Sequence, residues 1–268
     1  MPGRSDIDLL IAAAHGSGKI ARRYWRREPR IWDKGGGAGP VTEADLAVND
    51  YLIDRLLKAR PDYGWLSEES EDGPARLDAE HCFVVDPIDG TRAFIDGQPG
   101  YSHSLAVLRG DRVVAGVVYL PEMGLTYAAT EDGPAKLNGE VIAASETDLA
   151  DADILMSKAA LKPEHWKGGT PPEFTRSFRP SLAWRLCLVA EGRFDATMSL
   201  RPAWEWDIAA GSLIAARAGC TVSNMHGRAM RFNSRAAQVP GLIIAGPKLH
   251  GQITERMALA PGVGSSRP

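Results

Sequence analysis

The chain has 268 residues, 44% of them apolar and 24% charged, with a formal net charge of −3 at pH 7. That length allows one large domain or two small ones, and the composition is that of an ordinary globular protein. The charge gives no basis for binding nucleic acid or a membrane surface, and neither a signal-peptide pattern at residues 1–6 nor an apolar run of membrane-spanning length is present in the sequence.

Ile7, Leu10, Ile11, Ala14, Ile20, Ala21 and Tyr24 recur near a 3.6-residue period behind Ser5 or Asp6, which predicts a helix over about 6–27. A glycine-rich loop at 35–40 follows, and the stretch 32–37 leading into it is expected to be mobile. A second helix then runs from Thr42 to about Ala59, carrying Val48, Leu52, Ile53, Leu56 and Leu57 on one face. Residues 63–67 and 82–86 read as short strands. Runs at 102–108, 113–120 and 125–129 read as a β-meander, and Asn138-Gly139 as a two-residue hairpin turn. After about residue 150 the texture changes. A strand at 154–156 precedes a polar, Pro-rich stretch at 162–180. Helix 182–191, strand 194–198, helix 207–218, strands 221–223 and 242–245 and a last helix from Pro247 complete the chain. The expectation is an α+β half (1–150) followed by an α/β half (151–268), with a frayed tail over 261–266. Cys82, Cys187 and Cys220 are far apart in apolar surroundings and form no C-x-x-C, which suits buried free thiols in a reducing cytoplasm.

The chemistry concentrates where the apolar run His81-Cys82-Phe83-Val84-Val85 stops at Asp86, with Pro87, Ile88, Asp89, Gly90 and Thr91 behind it. Pro87 suggests a tight turn that brings Asp86 and Asp89 together. Two bare carboxylates about 4 Å apart repel by roughly 4 kcal/mol at an effective dielectric of 20. Such a pair needs a shared proton or a cation. With only oxygen donors nearby the cation would be hard, Mg²⁺ or Ca²⁺ rather than Zn²⁺. Three other acidic segments could join it: Thr42-Glu43-Ala44-Asp45, Ser67-Glu68-Glu69-Ser70 and Trp206-Asp207-Ile208-Ala209-Ala210. Each also has a plain structural reading. Thr42 with Asp45 is a helix cap with a first-turn acid, Asp207 an N-cap, and Glu68-Glu69 a solvated loop.

Together these segments resemble, in order and over most of the chain, the signature motifs of the inositol monophosphatase superfamily of Mg²⁺-dependent, Li⁺-sensitive phosphatases. The resemblance implies that family's layered αβαβα sandwich. It implies two to three Mg²⁺ ions. Glu68, Asp86 and the Ile88 carbonyl would hold one ion. Asp86, Asp89 and Asp207 would hold a second, and a third would sit near Glu68. Asp45 and Thr91 would orient and help deprotonate the attacking water, with no covalent phosphoenzyme. The backbone N–H groups of Gly90 and Thr91 would bind phosphate oxygens. A homodimer is also implied.

For the substrate, a small phosphate ester, the segment 199–204 lacks the acid that inositol phosphatases of the family carry before their Trp-Asp motif. Glu205 directly precedes Trp206 instead, as in the 3'(2'),5'-bisphosphate nucleotidases of the CysQ type. Arg185 falls at a basic position of that type and could pair with a second phosphate. Trp184 could pack near the base, and Ser181 stands where Gly is usual. The expectation is hydrolysis of adenosine 3',5'-bisphosphate, with inositol 1-phosphate or another sugar phosphate as the alternative. A non-catalytic phosphate-binding module and a Ca²⁺-stabilised structural domain are the readings from other classes. Lys34 is a candidate for reaching the third ion or the phosphate. His15-Gly16-Ser17-Gly18-Lys19 lacks the spacing of a nucleotide loop, Asp151-Ala152-Asp153 lacks the glycine and glutamate of an EF-hand, no histidine pair has zinc-ligand spacing, and no Gly-x-Ser-x-Gly elbow is present.

Overall fold

A computed structural model describes residues 5–35 and 39–258; the tail at 261–266 and residues 36–38 of the glycine-rich loop lie outside the described residues. In chain order the first half contains α1 (Asp6–Ala21), β1 (Ile31–Asp33), β2 (Pro40–Thr42), α2 (Glu43–Ala59), β3 (Gly64–Ser67), β4 (His81–Asp89), α3 (Thr91–Ile95), β5 (Ser102–Arg109), β6 (Arg112–Leu120), β7 (Leu125–Thr130), β8 (Lys136–Leu137) and β9 (Glu140–Val141). The second half contains β10 (Asp153–Met156), β11 (Thr175–Ser177), α4 (Leu182–Ala190), β12 (Ala196–Ser199), β13 (Ala203–Trp204), α5 (Glu205–Arg217), β14 (Thr221–Ser223), β15 (Gln238–Val239), β16 (Leu242–Ala245) and α6 (Pro247–Arg256).

Strands β3 to β9 form a sheet in sequence order, antiparallel except for the β3–β4 pair. Its central strands read as unbroken apolar runs because both faces are covered. Along β4, Phe83 and Val85 enter the core shared with α1 and α2, while Cys82 and Val84 enter the core shared with α4 and α5. The same alternation recurs on β5, with Leu105 and Val107 on one side and Ala106 and Leu108 on the other. A second sheet, in the order β11-β10-β12-β16-β14, packs on the far side of α4 and α5. Its outer face, through Ile154, Met198 and Ile243, meets Leu249 and Ile253 of α6. The layers therefore run helix pair, sheet, helix pair, sheet, helix. Among the described residues no helix is long and apolar enough to cross a membrane, and all three cysteines are buried and free.

Several elements differ from the sequence reading. The first helix ends at Ala21, not near 27; Arg26 and Glu28 adopt left-handed φ angles of 58° and 52°. Tyr24 and Trp25 still pack on the core from these turns, so the apolar period outlasts the helix. Strands β1, β2, β11, β13 and β15 were not predicted; with two or three residues each they carry no readable alternation. Helix α5 begins two residues before Asp207, so Asp207 lies inside the first turn rather than at the N-cap, which is Trp204.

The Asp86–Asp89 segment is a bulge within β4, not a tight turn. Asp86 pairs with Ser104 and Asp89 with Ser102, so three steps on β4 oppose two on β5. Residues i and i+3 of a regular strand face opposite sides. The extra residue cancels that, and both carboxylates emerge on one face. Pro87, which has no N–H for the ladder, occupies the bulge. His103 on the opposing strand lies 2.5 Å from the Pro87 carbonyl through Nδ1. A carbonyl only accepts, so Nδ1 carries the proton. Burial lowers the His103 pKa to about 4, keeping the ring neutral.

Candidate active site

The acidic residues reach one place from three elements. Glu68 follows β3, Asp86 and Asp89 leave the β4 bulge, and Asp207 points from the first turn of α5, where the helix dipole favours a carboxylate. Helix α5 can come this near because Gly116 of β6 faces it. A Cβ at 116 would lie 2.9 Å from the Ala210 carbonyl oxygen and 3.0 Å from its Cα. Ser104 of β5 adds a hydrogen bond of 2.9 Å to the Trp206 carbonyl, fastening the first turn of α5 to the sheet.

Glu68, Asp86 and Asp207 each offer an oxygen within 4.8 Å of the others. Asp86 Oδ1 is buried and has no hydrogen-bond partner among the described residues. Burial, with the charges of Glu68, Asp89, Asp207 and Asp45, pushes the Asp86 carboxyl well above its ordinary range. Asp207 is raised similarly by burial, Asp89 and Glu68, against a hydrogen bond with Asp86. An orphaned buried oxygen inside an all-oxygen acidic cluster fits a hard divalent cation. Asp89 is held differently. The Ser181 hydroxyl donates to Asp89 Oδ2 at 2.6 Å, as does the Ala183 N–H. Burial still raises its pKa, but these bonds and the Arg185 charge oppose the shift.

Asp45 serves two purposes. Its Oδ2 accepts from the Thr42 N–H and hydroxyl at 2.8 and 2.6 Å, closing the capping box of α2. Its Oδ1 lies 3.3 Å from the Thr91 hydroxyl, which is also 3.1 Å from the Ile88 carbonyl. Burial raises Asp45 to about 6 against the Thr42 bonds. Gly90, between the bulge and α3, has φ 96°, a left-handed value that suits glycine. Lys34 donates to Glu68 at 2.8 Å and to Glu69 at 2.5 Å. Burial disfavours its charge, but the two glutamates outweigh that and raise its pKa. Burial and the Glu68 charge lift Glu69 to about 7 against the Lys34 hydrogen bond.

These groups border a cavity of about 660 Å³ whose lining includes Glu68, Asp89, Gly90, Thr91, Arg185 and Asp207. Three of the residues expected at the substrate do not line it. Glu205 is fully buried, and its carboxylate accepts from the backbone N–H groups of Asn233 and Ser234 at 2.6 and 3.0 Å and from the Ser234 hydroxyl at 2.7 Å. It fastens the start of α5 to the 232–235 loop. Trp184 is only 6% exposed and faces Gly100 and the core of α4. Ser181 is consumed by Asp89, Ser102 and the N-cap of α4. Residues that sequence reasoning did not single out stand in the wall instead: Arg92, Phe178, Arg201 and Trp204. Among the described residues, Arg92, Arg185 and Arg201 have no carboxylate within ion-pair distance.

The profile of the inositol monophosphatase family matches residues 4–260. An inositol-1-monophosphatase from Mesorhizobium japonicum is 32% identical over 82% of this chain and 86% of its own. The 3'(2'),5'-bisphosphate nucleotidase CysQ of Escherichia coli is also 32% identical, over 73% of this chain and 80% of its own. Among solved structures, an IMPase from Thermotoga maritima superposes with a TM-score of 0.78 at 28% identity, covering 92% of this chain and 94% of its own. Relatives named for two different substrates thus stand at the same identity.

Proposed function

The chain belongs to the inositol monophosphatase family and is a phosphoric monoester hydrolase; from that premise we propose that it is a Mg²⁺-dependent 3'(2'),5'-bisphosphate nucleotidase converting adenosine 3',5'-bisphosphate to AMP and phosphate. The observation that carries the substrate is the charge of the cavity. Its wall presents Arg92, Arg185 and Arg201 beside the acidic cluster, none with a carboxylate partner among the described residues. Arg185 also donates to the Arg179 and Pro180 carbonyls, but a guanidinium without a carboxylate partner in a cavity favours an anion. A monophosphate of a neutral polyol brings one anionic group, and the acidic cluster with its cations takes that one. A bisphosphate brings a second, for which the arginines supply the partner.

The residues divide the work. Glu68, Asp86, Asp89, Asp207 and the Ile88 carbonyl would hold the cations. Bound Mg²⁺ supplies Lewis acidity toward the phosphate and neutralises charge that builds in the transition state. Asp45 and Thr91 handle the proton of the attacking water. The Thr91 hydroxyl can pass its own proton to Asp45 Oδ1 while accepting one from water, and a base titrating near 6 suits that task at neutral pH. Gly90 and Thr91 offer backbone N–H groups to the phosphate at the cavity floor.

A phosphate-release assay across adenosine 3',5'-bisphosphate, inositol 1-phosphate, fructose 1,6-bisphosphate and histidinol phosphate tests the substrate. Preference for the first is expected; preference for inositol 1-phosphate overturns that choice. Asp89→Asn tests the site. The variant should remain folded by circular dichroism and lose activity, and full activity at limiting Mg²⁺ would reject the assigned role.

A further inference from the structure

On the nucleotidase reading above, we propose that Trp204 is the stacking platform for the nucleobase and so sets preference for a nucleotide over a base-free phosphate ester. The ring lines the same cavity as Asp89, Asp207 and Arg185. It is 41% exposed, unusual for an indole inside a cavity wall. One of its faces is already covered. The Trp206 ring lies parallel to it, with centroids 4.6 Å apart and planes 8° from coplanar. Its backbone is fixed twice, by pairing of Ala203 and Trp204 with Val239 and Gln238, and as the N-cap of α5. The indole is therefore held flat before any ligand arrives and offers its remaining surface to the cavity. A rigid, pre-ordered aromatic surface stacks a base with little loss of entropy.

The surroundings favour a base over an aliphatic ring. Phe178, 49% exposed, lines the same cavity and carries the Arg185 guanidinium 4.3 Å from its ring centroid. The cavity thus combines two exposed aromatic rings with arginines that lack a carboxylate partner among the described residues. This suits a ligand with a planar base and a second phosphate. Trp206 itself is partly buried against the core and serves as the backing of the platform.

The test compares wild type, Trp204→Ala and Trp204→Phe on adenosine 3',5'-bisphosphate and on 1-O-methylribose 3,5-bisphosphate, which keeps both phosphates and lacks the base. Wild type should favour the adenosine compound. Trp204→Ala should cut the ratio of the two kcat/KM values about tenfold, chiefly through KM for the nucleotide, and Trp204→Phe should restore most of it. An equal loss on both compounds would mean that Trp204 only supports α5 and Asp207, and would overturn the platform. A ratio unchanged in Trp204→Ala, in an enzyme that still prefers adenosine 3',5'-bisphosphate to inositol 1-phosphate, overturns the platform alone. Wild-type preference for inositol 1-phosphate overturns both it and the nucleotidase reading.

Discussion

At the scale of single residues, the site depends on side chains that aim the carboxylates rather than on the carboxylates alone. Ser181 is the clearest case. Its hydroxyl accepts the Trp184 N–H at 2.9 Å, lies 3.0 Å from the Ser102 hydroxyl and donates to Asp89 Oδ2 at 2.6 Å. Ala183 donates to the same oxygen, so on the proposed role Oδ1 of Asp89 would face the cation. Ser181→Ala keeps the backbone donor and removes the hydroxyl. Loss of such outer-shell support commonly weakens metal binding by about tenfold or more. Titration calorimetry with Mg²⁺ should show that loss, with about 1 kcal/mol of stability lost with the N-cap. Unchanged Mg²⁺ affinity alongside the expected stability loss would restrict Ser181 to capping α4.

At the scale of elements, the decisive arrangement is α5 lying hard against β6. Gly116 makes it possible, because any Cβ there would meet the backbone of Ala210. Backbone cannot swing aside as a side chain can, so Gly116→Ala should push helix and sheet apart. Overpacking of this kind typically costs about 1–3 kcal/mol. Asp207, near the start of the same helix, would move away from Asp86. Denaturant unfolding should show the destabilisation, and kcat should fall in the fraction that remains folded; a full-activity variant of wild-type stability would show that the contact relaxes. This geometry also explains which parts of the molecule were legible in the sequence. The longer elements and the acidic motifs were, because period, caps and local runs encode them. Thr42 and Asp45 are three residues apart, and both their cap and their approach to Thr91 begin from that local pattern. The bulge was not, because it depends on register between β4 and β5. Nor were the bonds of Ser181 to Asp89 or Glu205 to Asn233, which join residues 92 and 28 positions apart. Trp184 read as a base contact because an apolar helix does not show from its sequence which face meets the core. Trp204 and Arg201 lie in a short connection with no periodic signal and become visible only when the cavity is.

At the scale of the whole molecule, the crowded acids tie stability to pH and to metal. Asp45 is raised to about 6 and Glu69 to about 7, chiefly by burial, and Asp86 and Asp207 are raised well above their ordinary range by burial and by the charges of Glu68 and Asp89. In the unfolded chain these carboxyls titrate near 4. Between about pH 4 and 7 these acids therefore hold more protons in the folded, metal-free chain than in the unfolded one, so their contribution to stability falls as pH rises through that window, outweighing the opposite contribution of buried His103, whose pKa is lowered to about 4. For Asp45 alone the shift corresponds to roughly 3 kcal/mol. This is the reverse of a protein stabilised by salt-bridged carboxylates. A divalent cation held by the deprotonated acids would stabilise the folded state most where the metal-free protein is weakest. Calorimetry in EDTA should give a lower Tm at pH 7.5 than at pH 5. Saturating Mg²⁺ should raise the Tm by about 5 °C or more at pH 7.5 and by much less at pH 5. A Tm in EDTA that climbs over the same range would mean that the cluster is not under charge strain when metal-free. The cation would then be needed for chemistry alone and not for holding the four acid-bearing segments together.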